Sequence, residues 1–110
     1  MHSMKLKPNP FEKIKNGTKK IELRLYDEKR RKIEVGDVIE FTNLETDEKI
    51  QVEVLKLHRF NNFEELYNAF PKTDLGYAEH ELAFPTDMES YYNKLEIEKY
   101  GVVGIEIRLV

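Results

Sequence analysis

The chain lacks cysteine, any surplus of positive charge and any long apolar run. Without cysteine there are no disulfides, no thiolate metal sites and no thiol nucleophile. The 18 basic and 21 acidic residues give a formal charge of −3. No overall cationic field is therefore available for non-specific capture of nucleic acid, and any such role has to be local. The apolar runs fall far short of the roughly 20 residues that span a bilayer, and Met1-His2-Ser3-Met4 is too polar and short for a signal peptide. These absences point to a soluble, cytoplasmic protein with no membrane contact. Met4 is a second candidate start, so His2 is assigned no role. No Gly-rich phosphate loop and no Gly-x-Ser-x-Gly elbow occurs, which leaves nucleotide hydrolysis and serine-hydrolase chemistry without support. His2, His58 and His80 lack the close spacing of a metal site, so no metal and no cofactor is expected.

What is present fits one domain over residues 1–110, with 40% hydrophobic residues supplying a modest core. Asn9-Pro10-Phe11-Glu12 reads as a helix start with Asn9 as cap, and Asn16-Gly17 as its end. Strict alternation follows, with Ile21, Leu23 and Leu25 on one face and Lys20, Glu22, Arg24 and Tyr26 on the other. Val38 to Thr42 and Ile50 to Val54 read as two antiparallel strands. Asn61 or Asn62 caps a helix carrying Phe63, Leu66, Tyr67 and Phe70, which Pro71 stops. Thr86-Asp87-Met88-Glu89 fits a capping box opening a helix of about ten residues with Met88, Tyr91, Tyr92 and Leu95 inward. Gly101 to Val110 closes the chain as a strand whose early residues are buried on both faces. The order helix, three strands, helix, loop, helix, strand belongs to the α+β class, and so many short strands favour a small closed β-barrel.

Three groups of residues carry candidate chemistry. Lys19, Lys20, Glu22 and Arg24 lie on or beside one strand face. A wet face with ion pairs worth under about 1 kcal/mol each explains them structurally. A ligand site explains them equally in kind, because Glu accepts from a base or amine while Arg and Lys hold phosphate or an oxyanion. On the long segment from Lys72 to Pro85, Glu79, His80 and Glu81 neighbour Tyr77 and Phe84, which offer stacking surfaces for a base; a loop anchored by its aromatics accounts for them too. The basic run from Lys29 to Lys32 attracts phosphate or is simply solvated. An apolar patch around Tyr91 and Tyr92 would instead make the chain a protein-interaction domain.

Three motifs, Gly17-x-Lys19-x-Ile21-Glu22-x-Arg24, Val35-Gly36-Asp37-x-Ile39-x-Phe41 and Tyr100-Gly101-Val102-x-Gly104-Ile105, occur in order along nearly the whole chain. Together they resemble the small ASCH-domain proteins of the PUA-like superfamily. The resemblance implies a small β-barrel flanked by short helices, with a cleft beside its first strand that binds RNA or a nucleoside- or nucleotide-like ligand. It places Lys19, Glu22 and Arg24 in that cleft, with Lys20, Tyr77, Glu79 and Phe84 as further ligand-binding candidates. One branch of the family hydrolyses N4-acetylcytidine with a lysine, a threonine three residues later and a glutamate further on. Lys19 and Glu81 match the lysine and the glutamate, but Glu22 stands where the threonine would be. The leading expectation is a binding module for RNA or a modified nucleoside. The alternative is an amidohydrolase for acylated nucleosides using Lys19, Glu22 and Glu81, with Glu22 acting on water because a carboxylate is no substitute for a nucleophilic hydroxyl.

Overall fold

Period-two alternation builds the sheet, and its register decides which side chains share a face. The computed structural model describes residues 1–110. Its strands are β1 (His2–Leu6), β2 (Ile21–Leu25), β3 (Val38–Asn43), β4 (Lys49–Phe60) and β5 (Val102–Leu109). Its helices are α1 (Pro8–Lys15), α2 (Phe63–Ala69) and α3 (Lys94–Tyr100), with 3-10 turns at Arg30–Lys32 and Pro85–Ser90. The strands form one sheet in the order β1-β3-β4-β5-β2. β1 runs parallel to β3 and every other pair is antiparallel. The sheet is curled into a half-barrel, an α+β arrangement.

One face of the sheet carries a core made of Met4 and Leu6 from β1, Ile39 and Phe41 from β3, Val52 and Val54 from β4, and Val103, Ile105 and Ile107 from β5. Phe11 and Ile14 of α1, both buried at i, i+3 spacing, complete it. β2 alone contributes nothing apolar to this face. Its residues paired directly with Ile105 and Val103 are Glu22 and Arg24. Ile21, Leu23 and Leu25 point the other way, into a second core with Val102, Leu75 and Phe63 and Leu66 of α2. Gly104 lies on that second face. A Cβ there would stand 3.1 Å from Ile21 Cγ2 and 3.5 Å from Leu66 Cδ1, so its lack of a side chain is what lets α2 sit close.

A register shift between Val54 and Lys56 changes the phase of β4. Before it, Val52 and Val54 face the first core; after it, Leu57 and Arg59 share that face, paired with Ile105 and Val103. Two rows therefore cross three strands, Leu57–Ile105–Glu22 and Arg59–Val103–Arg24.

Several sequence expectations are corrected. β1 was not foreseen, because its short polar alternation gains strand character only by lying beside β3. α1 starts at Pro8 after Lys7, which makes no side-chain cap bond, so Asn9 lies inside the helix. β4 continues six residues beyond Val54 and ends at Phe60. Thr86 opens no α-helix. Pro85–Ser90 is a 3-10 turn, and the real capping box is Asn93 with Glu96, whose N–H donates to Asn93 Oδ1 at 2.8 Å. Tyr91 and Leu95 are consequently exposed, at 54% and 76%, while Tyr92, Ile97 and Tyr100 pack on the second core. The Asn62 cap of α2 is as expected, its Oδ1 accepting from Glu65 N–H at 2.9 Å. Because the Gly104 position has no spare volume, Gly104→Val is expected to destabilise the fold by about 1–3 kcal/mol, read as a lowered denaturant midpoint.

Candidate functional site

The turn before β2 is fixed by its backbone. Lys19 N–H donates to Lys13 O, and the N–H groups of Lys20 and Ile21 both donate to Asp74 O, each at 2.9 Å. This sends the Lys19 side chain inward and leaves Lys20 exposed. Lys19 Nζ donates to Leu75 O at 3.0 Å and lies 3.4 Å from Glu22 Oε1. The other carboxylate oxygen, Oε2, accepts from Arg24 Nε at 2.7 Å. Arg24 Nη2 then donates to Lys5 O of β1 at 3.0 Å. Lys19 and Glu22 are only 8% and 4% exposed, so one carboxylate is shared between two cations in a nearly dry setting. Gly76 covers the lysine stem. Its φ of +104° suits glycine, and a Cβ would come within 3.0 Å of Lys19 Cδ.

Burial and charge act in opposite directions within this array. Burial pushes the Lys19 amine below the ordinary lysine range, and the attraction of Glu22 restores only part of the difference. Burial also raises Glu22, but Lys19 and Arg24 beside it outweigh that and hold its carboxyl below the usual range. Arg24 loses to burial and gains more from Glu22 and from the Tyr92 phenol, so its charge is reinforced. With Lys19 protonated, the array sets two cations against one carboxylate.

Lys19, Glu22 and Arg24 line a cleft of about 530 Å3, within the range of small-ligand sites. Tyr67, Tyr77, Tyr91 and Tyr92 supply aromatic walls, and Lys5 and Lys7 add further cations against the carboxylate of Asp87. The Tyr67 and Tyr77 hydroxyls meet at 2.7 Å, and Tyr77 donates to Asp87 Oδ2 at 2.7 Å. Burial first, then these two hydrogen bonds, raise the Tyr77 phenol far above its ordinary range. It is a neutral, fixed wall. Lys7 Nζ sits 4.9 Å above the centre of the Tyr91 ring, where its charge adds to the cleft's positive balance.

Of the residues singled out from sequence, Lys19, Glu22, Arg24 and Tyr77 come together here. Lys20 does not; it lines a separate hollow of about 420 Å3 that also includes Asp74 and Glu106. Glu79 and Phe84 are exposed and outside the cleft. Glu81 is also outside, accepting from Ala78 N–H at 2.7 Å and 3.5 Å from Lys13 Nζ. His58 pairs with Glu106 at 2.9 Å and His2 with Asp37 at 2.8 Å. No grouping of three or more histidine, aspartate and glutamate residues suited to a metal ion is present. Sequence reasoning missed Tyr67, Asp87, Lys5 and Lys7. Tyr67 was read as part of an apolar helical stripe, although tyrosine at the end of such a stripe carries a polar tip that needs a partner.

The ASCH domain model matches residues 4–110, and the chain belongs to the ASCH-domain family. The crystal structure of the hypothetical protein PH0355 is similar over 98% of this chain and 97% of that one, at 33% identity and a TM-score of 0.83. The solution structure of protein PF0455 from Pyrococcus furiosus is 34% identical over 99% of this chain and 96% of its own, with a TM-score of 0.71. The ASCH domain from Lactobacillus crispatus JV V101 shares the fold at 16% identity and a TM-score of 0.63, over 89% of this chain and 68% of that one. No curated protein sequence matches the chain.

Removing the shared carboxylate leaves two buried cations unpaired. Glu22→Gln is therefore expected to cost about 3–5 kcal/mol of stability, measured by urea unfolding at neutral pH. The sign of the pH dependence follows from the depressed Glu22 value: its contribution is present above the unfolded carboxyl range and fades as pH falls through the folded one. The gap between wild type and Glu22→Gln should thus narrow in acid.

Proposed function

We propose that the chain is a small binding module for RNA or a modified nucleoside, with the Lys19–Glu22–Arg24 cleft as its ligand site. The observation that carries this reading is the buried array itself: two cations hold one carboxylate at the wall of an aromatic cleft, leaving net positive charge where few waters compete. Lys19 and Arg24 would hold a phosphate or carbonyl oxygen, Glu22 would keep both cations oriented and accept from a base edge, and a tyrosine wall would stack on the base. Membership of the ASCH family, expected to bind RNA, favours the same class of ligand. The chain's charge of −3 favours a short ligand over a long duplex.

A second reading, hydrolysis of an acylated nucleoside such as N4-acetylcytidine, draws on the lowered basicity of Lys19, which suits a lysine general base. Against it, the Lys19 amine is tied to Leu75 O and Glu22, no hydroxyl stands in the threonine position, and Glu81 does not line the cleft.

The test is titration of the purified protein with the four ribonucleoside monophosphates and with N4-acetylcytidine. Binding that weakens with salt and drops at least tenfold in Arg24→Gln is expected, together with a milder loss in Lys7→Gln, which leaves the buried array intact. Affinity indifferent to salt and to both substitutions would sink the binding reading, and turnover of N4-acetylcytidine would replace it with the hydrolytic one.

A further inference from the structure

The five arginines of the chain divide by their partners. Arg24, Arg30 and Arg108 each hold a carboxylate, those of Glu22, Asp27 and Glu53, at 2.7, 2.8 and 2.7 Å. Arg31 and Arg59 form no ion pair, and both are exposed. These two meet at one ring: their guanidinium carbons lie 4.4 and 5.6 Å from the centre of Tyr26. Arg31 is further fixed by donating from Nη2 to Tyr100 O at 3.3 Å.

This cluster continues the face that bears the cleft. Arg59 pairs with Val103 and Val103 with Arg24, so Arg59 and Arg24 share a row two strand spacings apart, about 10 Å. Tyr26 follows Arg24 by two residues and extends the ladder, its N–H donating to Gly101 O at 3.0 Å. The basic run noted in the sequence is thereby divided. Lys29 donates to Ser3 O and Arg30 pairs with Asp27, while Arg31 joins Tyr26 and Arg59.

We propose that Tyr26, Arg31 and Arg59 form a second contact surface, which takes the sugar-phosphate backbone of single-stranded RNA adjoining the nucleotide held in the cleft. The proposal rests on the nucleic-acid reading of that cleft. Guanidinium forks match phosphate oxygens two at a time, and stacking on a ring orients the fork before the ligand arrives. Neither charge is cancelled by a carboxylate, in contrast to Arg24. Cations beside an aromatic ring are also the combination by which single strands are tracked without reading their sequence. The short span of the surface suits a few linked phosphates.

The experiment compares the four ribonucleoside monophosphates with a fluorescein-labelled, random-sequence RNA of about eight nucleotides, on the full chain. In Arg31→Gln/Arg59→Gln, RNA affinity in 0.1 M salt should fall roughly tenfold, and the slope of log affinity against log salt should lessen by about 1.4, two phosphates at about 0.7 each. Monophosphate affinity should stay at the wild-type value, and Arg31→Lys/Arg59→Lys should recover part of the slope. Both side chains are exposed, so an unchanged melting temperature is expected. RNA affinity and slope unmoved in the Gln variant, with monophosphates still bound through Arg24, would overturn this surface and leave the cleft reading standing. A polyglutamate peptide that competes equally and depends on the same arginines would reassign the surface to acidic peptides. If neither RNA nor monophosphate binds, both readings fall together.

Discussion

One carboxylate between two cations is the constraint on which this half-barrel is organised. Four of the five strands fill the inner face with aliphatic and aromatic side chains, while β2 places Glu22 and Arg24 there. Charges so placed are tolerated only when each is met. Lys19 brings the second cation, Leu75 O and Lys5 O each accept one further donor, and the backbone bonds of the turn before β2 send Lys19 inward to meet Glu22. Arg24 does more than neutralise Glu22. By donating to Lys5 O it ties β2 to β1, the two strands at opposite ends of the sheet order, where no backbone ladder joins them.

A buried ion pair is weak evidence for stability, since apolar side chains of similar volume often do as well. The array here occupies positions where a leucine or valine would have continued the core of the other strands. What it offers in return is a fixed, partly dry positive field beside a cleft with aromatic walls, and fixed dipoles and charges in such a setting act more strongly on a ligand than the same groups in water. The tyrosine chain on the opposite wall has the same character. Tyr67, Tyr77 and Asp87 satisfy one another, so the wall is held in place before any ligand arrives.

Much of the fold was legible because it is local. The alternation of β2, the Asn62 cap and the burial of Val102 to Ile105 on both faces all follow from the sequence pattern, and the family resemblance, which the ASCH match over residues 4–110 bears out, covers nearly the whole chain. What was not legible depends on partners distant in sequence. β1 is a strand because β3 lies parallel beside it. The continuation of β4 was hidden because its register shift breaks the alternation between Val54 and Lys56. In the cleft, Lys19, Glu22 and Arg24 were recognisable as a group, but Lys20 was grouped with them by simple alternation, whereas the strand begins one residue later and the turn carries Lys20 outward. Glu79, Glu81 and Phe84 were drawn in by proximity in sequence to Tyr77; the loop turns that tyrosine toward the cleft and leaves its neighbours outside.

Placing charge on the inner side of β2 also bears on how this protein lives at high concentration. β2 is a terminal strand of the sheet, and its free edge is the kind of surface on which a strand from another molecule can dock and propagate. A docking strand would have to cover Arg24 and separate it from Lys5, breaking the bond that ties the two ends of the sheet together. The same arginine that borders the cleft thus stands in the way of edge-to-edge self-assembly, so a substitution there would be felt in solubility.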